Sequence, residues 1–263
     1  MTITAPVTGV GGLLRDWRQR RRLSQLELSV EAEVSTRHLS FVETGRSKPS
    51  RELVLHLAEH LDVPLRERNA LLVAAGYAPH YRETRLDDEA MMPVRSALDT
   101  ILAGHEPYPA LVVDAHWNLV AANGALTQLL AGVATGLLEP PVNALRVSLH
   151  PEGMAPRIEN LGEWSAHLVE RLHRQITVSA DPALVDLRDE LLTYPGVVDR
   201  GPDDLASMLF VPLRLRPPDG NGDTLAFFST VATFGTALDI TLAELSIESF
   251  FPADDRTARA LRR

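Results

Sequence analysis

Through its first third the chain sets apolar residues at helical spacing and punctuates them with short polar caps. Leu13, Leu14, Trp17 and Arg21 fall on one stripe and predict a first helix. Ser24-Gln25-Leu26-Glu27 is a capping box that opens a second helix running to about Ala32. Ser35 caps a third, closed by Gly45, a residue free to take the left-handed conformation that ends helices. Ser50 caps a fourth with Leu53, Val54, Leu57 and Leu61 on its apolar face, and Asp62-Val63-Pro64 starts a fifth that ends at Gly76. The gaps are a few residues each, which predicts a compact all-α bundle.

Beyond a polar, acidic stretch the pattern changes. A helix is expected over 93–103, then a β-rich run over 108–114, a turn at Ala115-His116, and a returning strand over 117–121. Asn123 begins a helix. Leu161, Trp164, Leu168 and Leu172 keep helical spacing, with breaks at Asp181-Pro182 and Tyr194-Pro195-Gly196. Alternation of Leu209, Val211, Leu213 and Leu215, a turn over 217–222, and runs over 225–234 and 242–250 read as three late strands. Two early and three late strands imply an antiparallel sheet of about five, with helices over one face. The expected organisation is a flexible tail over 1–12, an all-α domain over 13–85, a linker over 86–92 and an α/β domain over 93–263.

Composition sharpens this division. Of 26 basic and 35 acidic residues, 13 and 10 lie up to Arg85, so a mildly basic segment precedes one holding the remaining 13 and 25. The 263 residues suit two domains, and 45% hydrophobic residues exclude intrinsic disorder. No apolar run is long enough to span a membrane. The chain has no cysteine, which excludes disulfides, thiol catalysis and Cys-ligated zinc and suits a cytoplasmic setting.

The short gap at Glu33-Val34 has the spacing of a helix-turn-helix, whose second helix enters the major groove. A wheel over the third helix puts Leu39 and Val42 inward and Thr36, Arg37, Ser40, Phe41 and Thr44 outward. Arginine can fork onto guanine, and phenylalanine or a threonine methyl can touch a thymine methyl. A plain solvated face with one aromatic is the alternative. The run Arg18-Gln19-Arg20-Arg21-Arg22 offers phosphate contacts, with Arg18, Arg20 and Arg21 as candidates, or else a solvated helix end.

Leu23-Ser24-Gln25, Val34-Ser35, Leu39-Ser40, Glu43-Thr44-Gly45-Arg46 and Pro49-Ser50 together resemble the lambda-repressor-like helix-turn-helix of the Xre family. The resemblance implies that Gln25 meets a phosphate, that Thr36, Arg37 and Phe41 face bases, and that the loop from Arg46 to Lys48 follows the backbone. Where many members carry glycine in the turn, this chain has Glu33; a left-handed non-glycine residue costs ~1 kcal/mol. Further strings, Arg37-His38-Leu39-Ser40-Phe41, Ala74-Ala75-Gly76-Tyr77-Ala78-Pro79, Pro107-Tyr108-Pro109-Ala110, Asn143-Ala144-Leu145-Arg146 and Phe251-Pro252-Ala253-Asp254-Asp255, resemble the MmyB-like branch of these regulators. That resemblance implies a PAS-like second domain holding a small apolar ligand such as a fatty acid.

An apolar site needs one or two polar anchors. Asn143, Arg146, Arg157 and Asn160 are candidates, with Trp164 nearby; ordinary capping and surface pairing are the competing roles. Nine histidines include the i, i+4 pair His56 and His60, which lacks an evident third ligand, so no metal is expected. No nucleophile elbow or phosphate loop is present, and no enzyme is expected. The chain reads as a cytoplasmic homodimeric regulator of double-stranded DNA with no resident cofactor, no membrane contact, and a ligand-sensing second domain. The alternative is a second domain that only dimerises or binds a protein partner.

Overall fold

The computed structural model describes residues 9–199, 210–217 and 223–262. The chain forms two compact units, the first running to Glu83 and the second holding most of the remainder.

Five helices build the first unit: α1 Val10–Arg20, α2 Gln25–Glu31, α3 Thr36–Glu43, α4 Arg51–His60 and α5 Leu65–Ala74. Their ends follow the local chemistry. Ser24 and Glu27 complete the reciprocal capping box, Ser35 accepts from the His38 amide, and Ser50 accepts from the Leu53 amide. Helix α1 already begins at Val10, so the expected tail is wrong over 10–12; residues 1–8 lie outside the described residues. The turn between α2 and α3 takes the left-handed form, with Glu33 at φ 52° where glycine would rest without strain. Leu14, Trp17, Leu28, Leu39, Val42, Val54, Leu57, Leu61 and Leu72 close a core beneath it.

One polar contact joins three of these helices inside that core. Glu43, at the last turn of α3, accepts from Arg18 Nε at 2.6 Å, from Arg18 Nη2 at 2.8 Å and from Gln25 Nε2 at 2.7 Å. Its side chain is 1% exposed. Burial works to raise the Glu43 pKa, but the hydrogen bonds from Arg18 and Gln25 and the Arg18 charge outweigh it and hold it below the usual carboxylate range. Helix α1 reaches α3 closely because Gly11 has no side chain: a Cβ there would lie 2.1 Å from the Val42 carbonyl oxygen.

The second unit is a five-stranded antiparallel sheet in the order β2-β1-β5-β4-β3, with β1 Ala110–Val113, β2 Leu119–Ala122, β3 Leu213–Leu215, β4 Leu225–Thr233 and β5 Ser246–Pro252. This is the PAS-like arrangement expected. The last strand is central, hydrogen-bonded to β1 and β4. Strand alternation sorts the sheet into two faces. Leu111, Val113, Leu213, Phe227 and Phe250 pack under α7 Gly124–Leu129, α8 Ala144–Leu149, α9 Leu161–Ser179 and α10 Pro182–Leu191. Ala110, Val112 and Ile247 pack on Leu98 and Leu102 of α6 Met92–Gly104. Helices therefore cover both faces, where one was expected.

Two other boundaries differ from the sequence reading. The expected linker over 86–92 contains a 3-10 turn, Glu89–Met91, and Met91 is buried there. Leu86 packs on the α6 side of the sheet, so this stretch is anchored by apolar contact. The run expected as a strand over 242–250 begins in a helical turn, Ile240–Ala243, and becomes extended only at Ser246. Leu209 and the turn residues 218–222 lie outside the described residues.

Two outcomes test the packing of the first unit. Gly11→Ala should lower stability by ~1–3 kcal/mol despite alanine's better helix propensity, because the new Cβ meets backbone. Gly104→Ala, with nothing within 4 Å of its Cβ, is the control and should cost nothing measurable in a denaturant titration. The Glu43 pair predicts the direction of acid sensitivity. Its folded pKa lies below the unfolded value of about 4.3, so its contribution is complete above that pH and is lost as pH falls through the folded value. Glu43→Gln should cost ~3–5 kcal/mol near neutral pH, as for breaking a buried pair, and flatten the acid limb of the stability–pH curve.

Candidate DNA-binding face and ligand cavity

Helix α3 presents the outward residues together. Thr36 and Arg37 are exposed and Ser40 and Phe41 half-buried, while Leu39 and Val42 point into the core. Ser35 capping fixes the helix start and so aims this row. Two guanidinium groups flank the Phe41 ring, Arg37 at 5.3 Å and Arg46 at 6.0 Å from its centre. Cation–π contact restrains these long side chains without consuming their N–H donors. The Thr36 hydroxyl shares a 2.8 Å hydrogen bond with Ser29. Lys48 is exposed, its Nζ 5.3 Å from the Tyr77 ring, and Tyr77 donates to the Pro49 carbonyl at 3.0 Å.

The basic run of α1 divides by burial. Arg18 is 8% exposed and spends its donors on Glu43 and the Leu23 carbonyl, so it is not a phosphate contact. Arg21 donates to the carbonyls of Leu61 and Asp62, both at 2.8 Å, and ties α1 to the end of α4. That bond sets it apart from the phosphate role expected of it. Arg20 stays exposed, stacked 5.2 Å from the Trp17 ring. Gln25 gives one N–H to Glu43, which leaves its second for a phosphate. His56 hydrogen-bonds the Ala32 carbonyl, and no three His, Asp or Glu side chains among the described residues are grouped to hold a metal.

The second unit contains a cavity of about 90 Å³ between the sheet and its covering helices. Leu111, Leu213, Phe227 and Phe250 form its floor. Leu126 and Leu129 of α7, Leu145 and Val147 of α8, and Trp164 and Leu168 of α9 form its roof. Trp117 closes one side. It sits in the β1–β2 turn at φ 66°, and its indole donates to Gln175 at 2.8 Å. Two polar side chains interrupt this wall. Ser148 accepts from Trp164 Nε1 at 3.1 Å. Glu248, 5% exposed, stands on β5 between its cross-strand partners Leu111 and Val231 and pairs with Arg171 at 3.0 and 3.2 Å.

Arg171 lies beyond Trp117, its guanidinium 4.7 Å from that ring. It lines a separate polar hollow of about 300 Å³ with Arg174, Gln175, Asp114 and Glu244. His167 packs on Trp164; burial first, then Arg171, holds its pKa below the ordinary value, so the imidazole is neutral near pH 7.

The four polar anchors expected from sequence have other employment. Asn143 caps α8 and donates to the His116 carbonyl. Arg146 forks onto Glu190 at 2.8 and 2.6 Å. Asn160 donates to Glu163 and the Pro212 carbonyl. Arg157 donates to the carbonyls of Leu129, Ala131 and Arg216, and its buried Nη2 alone lacks a partner. None of the four stands on the cavity wall, whereas Trp164 does. The residue the sequence reading passed over is Glu248. The alternation Ile247-Glu248-Ser249-Phe250 already put it on the Phe250 face, but nothing local distinguishes a buried wall carboxylate from a solvated one.

Residues 10–71 match the family model of a helix-turn-helix domain, and residues 94–263 match that of the MmyB-like transcription regulator ligand binding domain. No curated protein matches the chain. Among solved structures, the clp gene regulator ClgR from Corynebacterium glutamicum is 22% identical, over 40% of this chain and 99% of its own, with a TM-score of 0.24. An RNA-binding light-oxygen-voltage receptor is 13% identical, over 97% of this chain and 62% of its own, with a TM-score of 0.30.

Proposed function

We propose that this DNA-binding transcription regulator, which belongs to the family carrying an MmyB-like ligand-binding domain, binds its operator as a homodimer in the cytoplasm and adjusts that binding to what fills its second-unit cavity. The observation that carries the reading is the apolar cavity itself. A unit kept only for dimerisation or for a protein partner gains by filling such a space; a sensor needs it open.

A fatty acid supplies an aliphatic chain of the kind this wall accepts. An engineered apolar cavity of about 150 Å³ admits benzene; at about 90 Å³ this one takes a short chain only as wall side chains shift. A longer one displaces side chains, of which Met154 on the wall is the most adaptable. Occupancy influences the operator only through a difference in affinity between two conformations; a tenfold preference supplies ~1.4 kcal/mol. In a dimer whose recognition helices must sit ~34 Å apart, a small change in spacing is enough to weaken the fit.

On DNA, Thr36, Arg37, Ser40 and Phe41 read bases, while Arg20, Arg46, Lys48 and the remaining N–H of Gln25 hold phosphates. Arg37→Ala should cost ~1–3 kcal/mol on an operator selected from random duplexes and relax its specificity. Arg20→Ala should weaken operator and random DNA alike and reduce the salt slope by ~1. Equal losses on both DNAs for Arg37→Ala would reverse the assignment. For the sensor, operator titrations with and without a medium-chain fatty acid should show a modest, saturable shift. Ala144→Phe, which fills the cavity from α8, should abolish the shift while operator binding persists. A lipid that binds stoichiometrically and leaves operator affinity unchanged would turn the second unit into a structural or partner-binding one.

A further inference from the structure

Arg37 and Phe41 stand one turn apart on the outward row of α3, and they do not act independently. The Arg37 guanidinium carbon lies 5.3 Å from the centre of the Phe41 ring. Its N–H groups make no hydrogen bond among the described residues, so the whole fork is free. Phe41 is half-buried, and its carbonyl accepts from the amides of Arg46 at 2.8 Å and Ser47 at 3.0 Å. Those bonds fold the loop after α3 back over the helix end and bring the Arg46 guanidinium to 6.0 Å from the centre of the same ring. The ring is an apolar contact held at a fixed place beside two cations.

This spacing has a meaning on a duplex. A guanidinium that forks onto O6 and N7 of a guanine lies close to the plane of that base. Successive base pairs are ~3.4 Å apart, so a ring centred 5.3 Å from the guanidinium carbon meets the edge of the adjoining pair. The apolar group that a base pair presents in the major groove is the thymine C5-methyl. Thymine also offers O4 as an acceptor, which suits a place beside two cations, whereas cytosine turns an amino donor toward them. Shape and charge therefore favour the same base next to the guanine.

We propose that Arg37 and Phe41 form a single reader of a two-base-pair step, a guanine directly beside a T·A pair, in which Phe41 selects the thymine by its methyl group. The proposal rests on α3 being the base-reading helix. Duplexes are selected from a random pool with the full chain, and those that bind should share this step. The thymine of the step is then replaced by uracil, which removes the methyl and nothing else. Burying one methyl is worth about fourfold in affinity, so at fixed salt the wild-type protein should bind the uracil duplex more weakly by about that factor. Phe41→Ala should bind the two duplexes alike. Should that variant not fold, the wild-type pair of titrations still decides. Selected duplexes without the step, or equal wild-type binding to thymine and uracil, would overturn the proposal while leaving α3 as the base reader, provided Arg37→Ala still relaxes specificity. Methyl sensitivity that persists in Phe41→Ala places the contact on another residue and overturns it too. Equal losses on operator and random DNA in Arg37→Ala would remove the base-reading assignment, and the proposal with it.

Discussion

A carboxylate removed from water must be paired, and each unit of this chain is organised around one such pair. In the first unit Glu43 gathers donors from α1 and α2 at the end of α3. In the second, Glu248 on the central strand is met by Arg171 from α9. Such pairs are weak sources of stability, since desolvation consumes most of the Coulombic gain. Their effect is on arrangement: any packing that separates the partners leaves a buried charge exposed to low dielectric. Glu43 thus sets the tilt of the helix that carries Arg37 and Phe41, and a surface for reading bases is only as exact as the helix that presents it.

The same constraint acts differently in the sheet. Strand β5 is hydrogen-bonded on both sides, so Glu248 cannot swing away to find water. Covering helices on both faces remove the other route. What results is a polar spot held inside an apolar space, bounded by Trp117, Trp164 and Phe250, whose bulky rings keep the helices from collapsing onto the sheet. A cavity of this sort follows from shape: large rigid aromatic side chains leave gaps that branched aliphatics would close. The strained backbone at Trp117 fits this role, because the left-handed turn is what brings the indole to the cavity side and its N–H to Gln175.

The sequence by itself determined the local features. The capping box, the serine N-caps, helix-closing glycines, the outward row of α3 and the two-early, three-late division of strands are set by residues within a few positions of one another, and these signals survive folding unchanged. Even the left-handed turn at Glu33 was legible, as a departure from glycine with a stated cost. Boundaries slipped where tertiary contact outweighed local preference, as at the start of β5 and in the stretch anchored by Leu86 and Met91.

Only the tertiary structure decided which charged groups are free. Arg18, Arg20 and Arg21 are chemically identical and adjacent in sequence, yet Arg18 finds a carboxylate 25 residues away and Arg21 a carbonyl 40 residues away, while Arg20 stays exposed. The anchors chosen near the cavity were lost in the same way, Arg146 to Glu190 and Asn143 to a helix cap. The polar group that does reach the cavity, Glu248, looked like one more solubilising acid. A side chain's availability depends on partners brought close by the fold, and because hydrogen bonds and buried charge act over a few ångströms, distance along the chain carries no record of them.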